Sequence, residues 1–482
     1  MFWRGVVGYL PMNIVQGVVG LFSIVVFTRL LSPADYGVYA LAFSAMSLAH
    51  TLLFTWMEAA MARFYAPQAE AGRLADHFAT LYRSWLGAAL AFAVLAGAGL
   101  MLWPAGGPLK LAIGAGLAAI LTRSLVKLAQ ERRRAAGDVK GAALLDMGQT
   151  LAGFAIGAGL IVVGLKGAAP VAGLGAAAAI ALIFVLPTEL KRGVGGRFEM
   201  AQARTYIAYG LPVALSLILS LALATTDRFL LAYYLNDTAV GVYHAGYSLA
   251  NRTLDVMFIW LGAAGGPALI MALERGGTEA LTRAAREQAG FMIALVLPAA
   301  LGLALVARPL ADVMVGPALR VGAAQVTPWI AASALFAGLT TYYTHQAFTL
   351  GRRTGLLLAA MSLPAAANIA LCFILIPRFG LNGALWATTT SYGVGLIASV
   401  TLGRLAQPLP LPLSQIARAA AATAIMGVAV AALPALGGVT ELLLKAAAGA
   451  LVYGAAAYVL NVADLRHRAG DLFASLRARV AA

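Results

Sequence analysis

The sequence predicts an all-α polytopic membrane protein of fourteen transmembrane helices. They form two parallel six-helix lobes and a terminal helix pair, with both chain ends in the cytoplasm. Three observations predict it. The 482 residues are 61% hydrophobic and only 11% charged, with a mean hydropathy of +0.85, whereas soluble domains carry about a quarter charged residues. Apolar runs of roughly twenty residues, each long enough for a hydrocarbon core of about 30 Å, recur along the whole chain. The basic residues also fall unevenly between these runs. With the N-terminus inside, the cytoplasmic segments hold roughly three times as many Lys and Arg as the opposite side, a positive-inside pattern.

The expected spans lie at about 7–28, 36–61, 82–103, 109–126, 143–163, 168–187, 205–226, 239–263, 289–307, 326–350, 355–376, 382–402, 415–435 and 440–462. The first run is too long for the apolar core of a signal peptide and is expected to be retained as a span. The net charge of +15 would suit a nucleic-acid binder. Its placement in loops facing an anionic inner leaflet accounts for it instead, with anionic phospholipids as partners and no nucleic acid. Cys372 is the single cysteine, so neither an intramolecular disulfide framework nor a cysteine-rich metal site is available. No outward loop is long enough to fold as a catalytic domain, and no nucleophile elbow, P-loop or HExxH sequence occurs. These absences disfavour a membrane glycosyltransferase or polymer ligase.

An internal repeat divides the chain. Residues 31–72 align without a gap on 235–276, pairing Gly37 with Gly241, Val38 with Val242, Tyr39 with Tyr243, Ser44 with Ser248 and Trp56 with Trp260. A repeat of six spans preserves orientation, so the lobes are expected to be related by an axis along the membrane normal, facing each other across a central cavity. The expected organisation is residues 1–200 and 201–406 as lobes and 407–463 as the terminal pair, entered through the stiff proline-rich connector 407–415. Residues 464–482 form a cytoplasmic amphipathic tail with apolar side chains at helical spacing. Pro11 and Pro212 fall inside the opening helix of each lobe, where a kink can serve gating. The GFAIG run at 153–157 is a small-residue packing pattern.

Ionisable residues inside a membrane cost at least about 2.5–3.5 kcal/mol each and normally face a cavity or one another. Arg252 lies more than halfway through its span, with Asn251 beside it and Asp255 one turn on. The pair Arg252 and Asp255 can share a helix face and neutralise each other, or Arg252 can face an anionic substrate. Arg29 and Arg228 close equivalent helices. Their guanidinium forks suit phosphate, and helix-end stabilisation is the alternative for both. Arg29, Arg228, Arg252 and Asn251 are therefore the substrate-binding candidates. Asp35, Glu58, Asp255, His50, His244 and His345, with Pro11 and Pro212, are the coupling or gating candidates, histidine because it titrates near physiological pH. No catalytic or metal-ligating residue is expected.

The run FTRLLSPADYGVYALAFSAMSLAHTLLFTWMEAAMARFY at 27–65 resembles the start of bacterial polysaccharide-biosynthesis flippases. These belong to the multidrug/oligosaccharidyl-lipid/polysaccharide exporter superfamily, and TRLLSPADYG is the most specific piece. The resemblance implies a monomeric transporter of the bacterial inner membrane. It would move a polyprenyl-diphosphate-linked oligosaccharide from the inner to the outer leaflet by alternating access. It further implies no cofactor, H+ or Na+ coupling, and a polymerase or other pathway proteins as partners. Arg29 occupies the basic position that closes the family's first helix. A cation-coupled multidrug exporter and a lipid II flippase are the alternatives within the superfamily. The first would call for cavity acids, and the spans at 7–28 and 205–226 contain none.

Overall fold

The computed structural model describes residues 12–104 and 107–466. Pro11 and the amphipathic part of the tail beyond residue 466 lie outside the described residues. Fifteen α-helices follow one another: α1 (Met12–Leu30), α2 (Pro33–Leu53), α3 (Thr55–Glu70), α4 (Leu74–Leu102), α5 (Pro108–Ala135), α6 (Val139–Leu160), α7 (Ala169–Arg192), α8 (Met200–Tyr234), α9 (Asp237–Leu305), α10 (Ala307–Met314), α11 (Arg320–Leu339), α12 (Gln346–Leu350), α13 (Thr354–Gly403), α14 (Leu413–Ala431) and α15 (Gly438–Val459). Among the described residues, 11 helical stretches are long and apolar enough to cross a membrane. Side chains such as Val94, Met101, Phe184, Val428 and Leu451 point outward uncovered. On a water-soluble protein such a surface would be an aggregation hazard; in a bilayer it meets acyl chains. The chain is a multi-pass membrane protein.

Three of those stretches, Val139–Arg192, Asp237–Leu305 and Thr354–Gly403, run to 54, 69 and 50 residues. At a rise of 1.5 Å per residue each would far exceed a hydrocarbon thickness of about 30 Å. Each contains a glycine with positive φ: Gly164 at 97°, Gly277 at 64° and Gly380 at 56°. An L-residue with a side chain resists that conformation, so the helix breaks there. The GFAIG motif lies in the first of these stretches, where a Cβ on Gly157 would press against the backbone of Pro170. The expected close packing is that of α6 on α7.

The chain divides into two compact units, Met1–His244 and Ala245–Ala482. In the first, α2, α3, α4 and α5 share a core of Phe54, Met57, Met61, Phe78, Leu81, Ile120 and Leu128, which Tyr206 of α8 joins. It also carries a buried ion pair between α5 and α7. Arg132 on α5 donates Nε and Nη2 to the two carboxylate oxygens of Glu189 on α7 at 3.1 and 2.5 Å, and the Tyr82 hydroxyl donates to the same carboxylate at 3.0 Å. Arg132 and Glu189 are 6% and 1% exposed, so neither charge could be left alone. In the second unit, Phe258, Leu269, Met292 and Tyr343 centre one core. The terminal pair α14 and α15 seats alanines 419, 422, 456 and 457 against Ala294 of α9. Residues 407–412 are non-helical, as expected of a proline-rich connector.

The opening motif resolves into local chemistry. Arg29 donates Nη1 to the carbonyl of Val25 at 2.8 Å, closing α1 with a cation at its negative end. Ser32 is the N-cap of α2: its Oγ accepts the amide of Asp35 at 3.1 Å and donates to the Asp35 carboxylate at 2.7 Å, a reciprocal cap. Asn236, the repeat partner of Ser32, caps α9 in the same way, its Oδ1 accepting the Ala239 amide at 2.9 Å. One turn further on, the paired glycines of the repeat meet. A Cβ on Gly37 would overlap the Asp237 carbonyl, and one on Gly241 would overlap that of Pro33.

Both obstacles are backbone atoms that cannot rotate aside. Gly37→Ala or Gly241→Ala is expected to destabilise the protein by about 1–3 kcal/mol through overpacking, read as a lowered midpoint of thermal unfolding in detergent. Arg132→Ala, which strands the buried Glu189 carboxylate, is expected to cost about 3–5 kcal/mol in the same assay. Tyr82→Phe, which removes one hydrogen bond to a charge, is expected to cost about 1.5–3 kcal/mol.

Candidate functional site

The first unit encloses a polar cluster that its sequence patterns only partly announce. On α5, Arg123 and Lys127 are one turn apart and half-buried. Arg123 stands twelve residues, about 18 Å of helix, before the end of α5. The expected span 109–126 ends between them, leaving Lys127 just outside it. The helix instead continues to Ala135, carrying both inside the bundle. The cue was weak because a span can end at its first basic residue or simply run past it.

Facing them is Asp146 of α6, 5% exposed. Its carboxylate is 3.6 Å from Lys127 Nζ and accepts a hydrogen bond from the Gln16 amide of α1. Arg123 interacts electrostatically with Asp146, with Glu58 of α3 and with the Tyr39 hydroxyl of α2. Glu58 accepts from His50 Nε2 at 2.9 Å. His50 and Glu58 sit on either side of the break at Phe54, where φ is −121°, so their contact bridges the joint between α2 and α3. A turn beyond Lys127, Glu131 pairs with Arg134 at 2.6 Å. Arg123 and Lys127 both lean on Asp146, and Arg123 also feels Glu58, to which the His50 ring is hydrogen-bonded.

The remaining candidates fall elsewhere. Arg29 is exposed at the end of α1. Arg228, its counterpart, is 5% exposed. The Arg228 backbone amide donates to the Asp227 carboxylate at 2.7 Å, and its guanidinium is 3.4 Å from Ser44 Oγ on α2. Asp227 is fully buried and accepts from the Tyr243 hydroxyl. His244 stacks near Tyr36 and Tyr39, with ring centroids 5.3 and 5.9 Å away. Arg29 stands in the last turn of α1, whereas Arg228 lies before the last turn of α8 and does not close that helix as expected, so the two arginines differ in position as well as in surroundings. Asp35 serves the α2 cap described above.

In the second unit, Arg252 is exposed and Asn251 half-buried. Asp255 accepts a hydrogen bond from the Tyr342 hydroxyl and lies in the field of Arg252. His345 follows a five-residue π-helical segment, Thr340–Thr344, and its Nε2 is buried without a hydrogen-bond partner. Pro212 sits inside α8. His77 of α4 escaped the pattern reading. It is fully buried, with Nδ1 against the Tyr206 hydroxyl. Among the described residues no group of three or more His, Cys, Asp or Glu could hold a metal ion.

Paired ionisable groups inside a multi-pass helical bundle mark an interior shielded from lipid. The chain belongs to the family described as polysaccharide biosynthesis protein, whose model matches residues 26–319, more than half of the sequence. No curated protein matches it. Among solved structures it is similar to the lipid II flippase MurJ in an inward closed conformation, with a TM-score of 0.77 and 13% identity, covering 94% of this chain and 98% of that one. It is also similar to a multidrug resistance MATE family transporter of the MOP superfamily. The inward-facing form gives a TM-score of 0.60 at 14% identity over 82% and 93% of the two chains, and the outward-facing form 0.57 at 16% over 83% and 95%. The chain has the fold of the MOP superfamily.

The different settings of Arg29 and Arg228 predict different costs. Arg29→Ala is expected to change stability by less than about 1 kcal/mol, as for an exposed helix-end charge. Arg228→Ala is expected to cost about 1.5–3 kcal/mol, because it removes a buried charged donor. Parallel thermal unfolding of the two variants would separate them.

Proposed function

We propose that the protein is a flippase that moves a polyprenyl-diphosphate-linked oligosaccharide from the inner to the outer leaflet of the bacterial cytoplasmic membrane by alternating access. The observation that carries it is the placement of Arg123 and Lys127 well inside the helical bundle with Asp146 as their shared carboxylate. A diphosphate is the one part of such a substrate that lipid excludes. Cations held within the bundle lower the cost of its passage, and Asp146 occupies them between cycles. Membership of a polysaccharide biosynthesis family and the fold likeness to a lipid II flippase support the same substrate class.

Counting two passes for each stretch broken at Gly164, Gly277 or Gly380 gives fourteen spans. Residues 1–200 and 201–406 serve as six-helix lobes, and the terminal pair follows. The matched N-caps Ser32 and Asn236 support a duplication. Arg228, Arg252 and Asn251 remain candidates for the headgroup's path, and Arg29 for its outward end. The His50–Glu58 contact across the α2–α3 joint suits a coupling proton; Na+ is the other ion to test. A multidrug exporter is the weaker reading, because Asp146, an acid that a cationic drug would need, already faces Lys127.

Proteoliposomes with a labelled polyprenyl-diphosphate oligosaccharide provide the test, with pH and Na+ gradients imposed separately. Transfer between leaflets is expected to exceed that in empty liposomes. Arg123→Gln and Lys127→Gln are each expected to slow it about tenfold or more, the loss of one charged contact to phosphate. Transfer no faster than in empty liposomes, or unaffected by both substitutions, would refute the assignment.

A further inference from the structure

The second unit holds a feature for which transport has no evident use. On either side of the Gly277 break, residues 256–268 and 284–295 of α9 flank a groove of about 690 Å³. Val256, Trp260, Phe291 and Leu295 give it apolar, outward-open walls. A polar group lies in it all the same. Gln288 packs its amide against Gly265, and both amide atoms are buried without a hydrogen-bond partner. An orphaned amide in apolar surroundings is costly, and a native protein keeps one where something else satisfies it.

At the end of the groove stands Glu287, which also lines an adjoining cavity of about 830 Å³ together with Glu279, Arg283 and Arg286. Spacings of four, three and one residue bring these four onto neighbouring turns of one helix. None of them is in an ion pair among the described residues. Asp464 lines the same cavity, so the border of the groove offers two cations and three anions and is net acidic.

We propose that this groove binds a phospholipid whose headgroup carries both a phosphate and a primary ammonium, that is, a phosphatidylethanolamine. An acyl chain fills the apolar groove, and the Gln288 amide donates to an ester carbonyl of the glycerol backbone. The phosphate lies at Arg283 and the ammonium donates to Glu287. A purely anionic headgroup would meet the two glutamates as well as the two arginines and gain little. A trimethylated ammonium has no N–H to donate. The site is independent of the transport assignment, and lipid retention can be measured with no substrate present.

The full-length protein, stripped of lipid in detergent, would be mixed with equal amounts of phosphatidylethanolamine, phosphatidylglycerol and phosphatidylcholine bearing identical chains. Bound lipid would be read by native mass spectrometry. Phosphatidylethanolamine is expected to be retained about tenfold over either competitor, the ratio set by one charge-assisted hydrogen bond. Glu287→Gln should erase that preference while leaving total lipid binding in place. Ala264→Trp, at an exposed position lining the groove, should reduce retention of all three. Equal retention of the three lipids by the native protein would overturn the proposal. So would a preference that survives Glu287→Gln, or binding untouched by Ala264→Trp in a protein whose helical circular dichroism is unchanged.

Discussion

The hydrocarbon core offers no water, so each polar group that enters it needs a partner from the protein. That constraint organises the first unit more than any single contact. Asp146 is tied to Gln16 and Lys127, Glu58 to His50, Glu131 to Arg134, and Glu189 to Arg132 and Tyr82. These pairs are not equivalent. The Arg132–Glu189 pair is bidentate, buried on both sides and close to the C-terminal end of α5, the arrangement of a permanent brace. Around Arg123 and Lys127 the contacts are longer and shared: Lys127 is 3.6 Å from Asp146, and Arg123 lies in the field of Asp146 and Glu58.

A second constraint comes from close approach of backbones. The turn between α1 and α2 has little freedom: Arg29 closes one helix, Ser32 opens the next, and Gly37 lets α2 come against the start of α9. The same steps recur at Asn236 and Gly241, and the two glycines lie against each other's helices. The motif that identifies the family is therefore explained by helix termination, capping and contact. Arg29 bonds its own helix end, Asp35 bonds the cap, and neither needs a ligand to account for its presence.

The repeat shows how position and environment can part. Arg29 sits in the last turn of α1 and is exposed, whereas Arg228 sits before the last turn of α8, beside Asp227 and Ser44. Tyr39 and Tyr243 are partners in the repeat. Tyr243 donates to Asp227, whereas Tyr39 lies in the field of Arg123. Two side chains matched in sequence therefore have different chemistry because different residues surround them.

By itself the sequence determined the membrane class, the approximate number of apolar runs and the family. Each rests on composition or short-range pattern, and lipid enforces such patterns residue by residue. His50 and Glu58 were legible as candidates, as polar residues in or beside a span always are. Their partnership was not, because it depends on the break at Phe54 bringing together residues eight apart. Arg123 and Lys127 were hidden for a related reason: apolar periodicity does not mark where a helix stops, so they read as charges at the edge of a span until α5 was seen to run on to Ala135. Burial, pairing and the orphaned amide of Gln288 were decided only by the tertiary structure. Each follows from which faces of separate helices meet, a fact that no local window of residues contains.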